Sequence, residues 1–335
     1  MNSPIYVMKD SLEYKYIVVS YGYDYYDYVY RQFQNSDYAI YSHQITFPFL
    51  IESLFYRHIF SSRLPFKKFW TKLYIWYLSR YVRSIAFPED KICFLLLAGG
   101  KNNILLKYGL AEKLREKYHK SKIVFFINDL VSITKQPIGL LKDKADLVIS
   151  FDPGDADKYQ VLNHVIPYSD FQFVTSEIEY DITFVGAAKD RFQELLSIHK
   201  HLISQGINSH FHIINVPKQD QVDIEGVVYS GFISYEENLK ILSKSRCIIE
   251  IVQKKGTGNT IRVGEAIIMG KRILTNNPHI VTNGIYDSTN MRVFSNLEDI
   301  DIEFIKNKDK VVYSARERMY PKNLLYFIEN NLCDE

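Results

Sequence analysis

Residues 246–277, RCIIEIVQKKGTGNTIRVGEAIIMGKRILTNN, constrain this chain more than any other stretch. The run 247–252 is short, apolar and rich in β-branched side chains, as in a strand buried on both faces of a parallel sheet. KKGTGN follows, and then IRVGEAIIMG, where Ile261, Ala266, Ile267 and Ile268 predict a buried helix with Gly270 as its stop signal. Residues 271–275 begin another strand. A strand, a glycine-rich loop, a buried helix and a strand leave backbone N–H groups free at a helix N-terminus, where the dipole also favours negative charge. Lys254, Lys255 and Arg262 bring cations to the same place. The arrangement suits a phosphate, and a diphosphate better. GxGxxG and GxxxxGK[ST] are both absent.

A length of 335 residues fits two domains, and 47% hydrophobic residues supply cores and exclude a disordered chain. The formal net charge of +2 gives no global attraction for nucleic acid, so no nucleic-acid partner is expected. Cys93, Cys247 and Cys333 are far apart, without metal-ligand spacing, and read as reduced thiols of a cytoplasmic protein. The start of the chain has no apolar signal core, and no run reaches the ~18 apolar residues of a spanning helix. The expectation is a soluble or peripheral protein.

In the first half, strands are predicted at 16–20, 38–41, 91–98, 122–127 and 147–151, with helices over 103–118 and 140–146 between them. This alternation is the pattern of a doubly wound parallel α/β sheet. Asp24 and Asp27 follow the first strand, and Asn128 and Asp129 follow the strand 122–127. Ligands of such sheets bind at the carboxyl edge, so Asp24 and Asp129 are candidate bases, with turn or helix capping as the competing role. Residues 53–88 contain no Asp or Glu, while Arg57, Arg63, Lys67, Lys68, Lys72, Arg80 and Arg83 all fall there. Phe66, Phe69, Trp70, Leu73, Trp76 and Tyr77 recur at helical spacing, predicting one aromatic stripe with Lys68, Lys72 and Ser79 on the other side. Such a segment, at 63–83, is suited to an anionic membrane surface, or it is a sheet-packed helix with a solvated basic face. Residues 152–171, richer in turn formers, lead out of the first domain.

The pattern restarts at Tyr180. YDITFVGAAKDR ends a strand in a glycine followed by Lys189 and Arg191. A helix over 192–204, strands at 210–214 and 227–230, and a helix over 236–243 precede the stretch 246–277. Two loops carrying glycine and cations, at 186–191 and 254–260, would open on one sheet edge and meet one anion.

The series FVG…K-x-R, then GF-x-S-x-x-E-x-L, then GEAI-x-x-G-K-x-I-x-T-N after a glycine loop, resembles the donor domain of GT-B glycosyltransferases. The likeness is nearest to bacterial members that build lipopolysaccharide, capsule and other surface glycans. It covers residues 180–280; in the first half it rests on strand–helix order. The resemblance implies two Rossmann-like domains facing each other across a cleft, an acceptor domain over 1–170 and a nucleotide-sugar domain over 171–315. A final segment, 316–335, would either cross back to the first domain or cover the second. By the same resemblance, Gly186, Lys189 and Arg191 approach the donor diphosphate, and Phe232 and Ile233 line the nucleobase pocket. Gly256, Thr257, Gly258, Asn259 and Thr260 meet the diphosphate or sugar with Arg262, and Glu265 accepts hydrogen bonds from the ribose. Many retaining members have a Glu eight positions before that second Glu; here the position is Thr257, which leaves retention and inversion both open.

The expected activity is metal-independent transfer of a sugar from a nucleoside diphosphate to a glycan or lipid-linked acceptor, at the cytoplasmic face of the inner membrane. Cations would neutralise the leaving phosphate, and no D-x-D is placed for a metal, although Asp24-x-x-Asp27 and Asp155-x-Asp157 occur in predicted loops. Glu265 forms either a helix-surface pair with Arg262 or, among its apolar neighbours, a buried bond to a specific partner. A catalytically silent glycan- or partner-binding subunit and a sugar-nucleotide epimerase-like enzyme are the alternatives.

Overall fold

The computed structural model describes residues 11–20, 24–34, 36–42, 47–87, 89–171 and 176–332, to which all structural statements refer. Residues 21–23 of the tyrosine-crowded loop and Cys333 lie outside them. The chain forms two compact units: one runs to His164 and resumes at Pro321, and the other is Val165–Tyr320.

The first unit is built on β1 (Tyr14–Val19), β2 (Ala39–Ser42), β3 (Lys91–Leu97), β4 (Lys122–Ile127), β5 (Leu147–Ser150) and β6 (Leu162–Asn163), ordered β2-β1-β3-β4-β5-β6. Every neighbouring pair is parallel. Phe94, Leu95 and Leu96 of β3 and Val124, Phe125 and Phe126 of β4 are fully buried, because helices cover both faces. The order reverses between β1 and β3, the switch point at whose carboxyl edge ligands of open sheets bind.

The helical stretch predicted over 103–118 is two helices, Gly100–Lys107 and Leu110–Lys117, divided at Gly109, whose φ of +85° turns the chain. The predicted aromatic stripe is also corrected. In the helix Lys67–Ile85, Trp70, Tyr74 and Tyr77 face the core, while Phe69 and Trp76 face outward with Lys68 and Lys72. Ser79, expected on the outer side, is buried and donates its hydroxyl hydrogen to the Ile75 carbonyl at 2.7 Å. Phe66 precedes the helix in a left-handed conformation. A fifteen-percent aromatic composition fills both the core and the surface, so ring spacing alone does not identify the inner face.

The helix Pro321–Asn331 completes this unit. Its Glu329 Oε1 accepts from the backbone N–H groups of Glu13 at 2.7 Å and Tyr14 at 3.0 Å, tying the helix to the start of β1.

The second unit contains β7 (Tyr180–Ala187), β8 (Ser209–Ile214), β9 (Val227–Ser230), β10 (Ser245–Glu250), β11 (Arg272–Thr275) and β12 (Met291–Val293). The order is β12-β11-β10-β7-β8-β9, all parallel, which is the doubly wound Rossmann arrangement with its switch point between β7 and β10. The predicted helix in 261–269 runs Ile261–Met269, capped at its start by the Thr260 hydroxyl and at its end by Gly270 with φ +62°. Strands β6 and β12 carry no pattern that sequence could register, having two and three residues.

Candidate functional site

The β7/β10 switch point gathers the loops that sequence singled out. Gly186 stands near the end of β7, and the Arg262 guanidinium lies where a Cβ at Gly186 would sit. Only a glycine admits it. Arg262 projects from the first turn of the helix Ile261–Met269, and its guanidinium carbon is 5.1 Å from the Phe184 ring centroid. The Arg191 guanidinium carbon is 5.5 Å from the same centroid. Two cations therefore share one aromatic ring at one sheet edge.

Arg191 is 6% exposed and donates to the carbonyls of Ile251 and Ala187. Burial, and then the charge of Arg262, push its pKa down to about 10. Arg191 Nε and Arg262 Nε are buried donors without a hydrogen-bond partner. Two like charges with unspent donors at a helix N-terminus form a place an anion would stabilise. Lys189 is exposed, with φ +48°, in the short helical turn Lys189–Arg191.

The loop after β10 is held from beneath. Glu250 is fully buried at the end of β10; its Oε1 accepts from the Thr260 N–H at 2.6 Å and its Oε2 from the Thr275 hydroxyl at 2.7 Å. Burial raises its pKa, while those two hydrogen bonds and the Arg262 charge oppose the rise. Asn276 Oδ1 accepts from the Val252 N–H at 2.8 Å, and the buried Asn277 amide donates to the Thr257 carbonyl at 3.2 Å and to the Gly258 carbonyl at 3.4 Å. These bonds fix residues 252–260 over β10 and β11. Between this loop and residues 276–279 lies a cleft of about 360 Å³, lined by Lys254, Lys255, Gly256, Thr257, Asn276 and His279 among others. Arg191 and Arg262 lie outside its lining. Glu250 and Asn276 were not singled out from sequence; a lone carboxylate inside the apolar run CIIEIV was the available signal.

Glu265 is 1% exposed and has the specific buried partners that its apolar neighbours demand. Its Oε1 accepts from the Tyr235 hydroxyl at 2.7 Å and the Asn238 amide at 2.9 Å, and Tyr235 is in turn 2.7 Å from the Tyr168 hydroxyl. Oε2 has no hydrogen-bond partner. Burial raises the Glu265 pKa, with the Arg262 charge the largest opposing influence. Tyr235 opens the helix Tyr235–Ser243, so this carboxylate is joined to the element that follows Phe232 and Ile233. Phe232 is 82% exposed and Ile233 half-buried.

In the first unit, Asp24 lies in the turn before the helix Tyr26–Val29, which contains Asp27. Asp129 Oδ1 accepts from the Leu130 N–H at 2.9 Å. Asn128 donates to the Tyr25 hydroxyl at 3.0 Å, bringing the loops of the two candidate bases together at the carboxyl edge. Asp155 and Asp157, expected in a loop, are in the helix Pro153–Tyr159, where Asp155 accepts from the Val131 N–H at 2.8 Å.

Sequence reading passed over Lys101, just beyond the Gly99-Gly100 turn. It is 2% exposed, with its ammonium 5.6 Å from the Tyr74 ring centroid and no ion pair or hydrogen bond from that ammonium among the described residues. Burial lowers its pKa to about 8.

The two sheets, with these switch points, match solved structures. An alpha-glucosyltransferase determined in complex with UDP and a 13-mer DNA containing an HMU base superposes with a TM-score of 0.53 at 10% identity, covering 95% of this chain and 99% of that one. The chain has the GT-B fold. Weaker likenesses are to TarM, with a TM-score of 0.48, 13% identity and 76% of this chain covered, and to a putative UDP-N-acetylglucosamine 2-epimerase from Listeria monocytogenes, with 0.45 and 10%, covering 96% of this chain and 99% of that one. The chain spans 57% of the length of the TarM structure. No family model and no curated protein matches the sequence. Among the described residues, no helix is long and apolar enough to cross a membrane.

Proposed function

We propose that the chain is a glycosyltransferase that binds a nucleoside diphosphate sugar at the β7/β10 edge and moves the sugar to a glycan or lipid-linked acceptor. The observation that carries this reading is the pair Arg191 and Arg262 on the two approaches to Phe184, with donors unspent at a helix N-terminus. As the glycosidic bond to the donor breaks, negative charge builds on the leaving diphosphate. Fixed cations and N–H groups lower that barrier, and with Arg191, Arg262, Lys189 and the loop 256–260 in this role the reaction needs no divalent metal. Glu265 Oε2 accepts from the ribose, and Phe232 and Ile233 flank the base. The acceptor hydroxyl is deprotonated by Asp24 or Asp129, a role that their position beyond β1 and β4 supports.

The acceptor belongs to the synthesis of a bacterial surface polysaccharide or lipopolysaccharide, and the protein works at the cytoplasmic face of the membrane. The support is the outward face of the helix Lys67–Ile85 and its neighbour Phe49–Phe60. On these two helices Phe49, Leu50, Phe69 and Trp76 are exposed, as are Arg57, Lys68 and Lys72, a combination that acyl chains and anionic headgroups together would satisfy.

The test is incubation with a panel of labelled nucleotide sugars and a bacterial membrane-lipid extract. The reading predicts release of one nucleoside diphosphate coupled to labelling of an extractable acceptor. Binding without turnover would instead mark a silent subunit, and an interconverted sugar nucleotide without acceptor an epimerase.

A further inference from the structure

The first unit has a second cavity, far from the reaction edge. It lies where β3 and β4 begin, has a volume of about 460 Å³, and is lined by Arg83, Phe87, Lys117, His119, Lys120 and Ser121 among others. β3 is seven residues long. At about 3.3 Å per residue this separates the cavity from the Gly99 turn by roughly 23 Å.

Its lining holds three basic side chains, Arg83, Lys117 and Lys120, against one carboxylate, Asp90. Arg83 is in the last turn of the helix Lys67–Ile85 and Lys117 ends the helix Leu110–Lys117, so each is individually favoured by a helix C-terminus. Together they repel. The pKa of Lys117 is lowered by burial and then by the charge of Arg83. Lys117 Nζ donates to the Ser79 hydroxyl at 2.5 Å, and among the described residues Arg83, Lys117 and Lys120 form no ion pair. Asp90, also in the lining, accepts from the Phe87 N–H at 2.8 Å. Ser121 is 6% exposed and its hydroxyl has no hydrogen-bond partner, a polar group left unspent in the cavity wall. Apart from Tyr118 and His119 the remaining wall is apolar, with Val82 and Ile92 buried and Phe87 71% exposed.

We propose that this cavity binds the phosphate or carboxylate head of a single-chain amphiphile. The head is held among Arg83, Lys117 and Lys120, and the chain lies on Val82, Ala86, Phe87 and Ile92. The site goes beyond the transfer reaction and needs neither donor nor acceptor.

The full chain is titrated calorimetrically with dodecyl phosphate below its micelle concentration, with inorganic phosphate and dodecanol as head-only and tail-only probes. Dodecyl phosphate is expected to bind at least about tenfold more tightly than either. Removing two charges (Arg83→Gln with Lys120→Gln) and filling the cavity (Ala86→Phe) are each expected to weaken it about tenfold, with unfolding temperatures close to the parent's. Lysophosphatidylglycerol and dodecanoate, each below its micelle concentration, then separate the two sources of such a head. Displacement of dodecyl phosphate by lysophosphatidylglycerol assigns the site to a lipid headgroup, displacement by dodecanoate alone assigns it to a free amphiphile, and displacement by neither overturns the proposal. Dodecyl phosphate binding no tighter than inorganic phosphate, or equally tight in both variants, overturns the proposal and leaves the donor site untouched.

Discussion

The guanidinium of Arg262 occupies the volume that a Cβ on Gly186 would take. The end of one strand and the first turn of a helix 75 positions further along the chain are thereby fitted to each other around Phe184. Gly186→Ala should push the flexible end of Arg262 aside, and with φ +159° at this position it also strains the end of β7. The expected outcome is a loss of about tenfold in nucleoside diphosphate affinity together with a lowered melting temperature from the strained backbone. Calorimetry on the two proteins checks it, and equal affinities would remove Arg262 from the site.

Glu265 has one oxygen satisfied by Tyr235 and Asn238 and one unsatisfied. If the free oxygen receives a ribose hydroxyl, the protein prefers a ribonucleotide to its 2′-deoxy counterpart, and Glu265→Gln reduces that preference. The pH dependence has a definite sign. A carboxyl whose folded pKa is raised keeps its proton where the unfolded chain has lost it, so its contribution to stability falls as pH rises. Glu265→Gln escapes that cost. Its stability relative to the parent should be greatest at pH 7 and shrink as the pH is lowered toward 4.5, followed by denaturant unfolding.

Lys101 gives the opposite dependence. Its folded pKa of about 8 lies below the ordinary 10.5, so between these values the unfolded chain binds more protons and stability gains with pH. Lys101→Met should stabilise the protein at pH 7, and its advantage should narrow by pH 9.5. An advantage that does not change with pH would show that the ammonium is not held in an unfavourable place.

The outer face of the helix Lys67–Ile85 is tested by Phe69→Ser with Trp76→Ser. Both side chains are at least half exposed, so folding should be retained. Sedimentation with phosphatidylglycerol vesicles should fall severalfold, and sedimentation with neutral vesicles should be low for both proteins.

The strand–loop–helix unit at 246–277 was legible because its pattern is local: β-branched run, glycine loop, apolar helix, αL glycine. Which side chains meet across the sheet was not. Glu250 looks like an interruption of a hydrophobic strand, and only the fold reveals that it holds Thr260 and Thr275 together. The reading of Glu265 succeeded as far as burial, since a carboxylate among isoleucines needs partners, but Tyr235 and Asn238 come from a separate helix. Aromatic spacing misled in the helix Lys67–Ile85, where rings lie on both faces and charge alone does not say which is inside. Lys101 gave no signal, because a lysine after two glycines is ordinary until its burial is seen.

The central claim is a nucleoside diphosphate at the β7/β10 edge, held by arginines rather than by metal. The decisive measurement is thermal unfolding with UDP, GDP, ADP, dTDP and CMP, each with and without EDTA, for the parent and for Arg262→Ala. A ligand that binds only the folded state raises the melting temperature with its concentration over Kd. The account predicts a rise with one nucleoside diphosphate, unchanged by EDTA and largely lost in Arg262→Ala. No rise with any of them, or a rise that EDTA abolishes and Arg262→Ala retains, would contradict it.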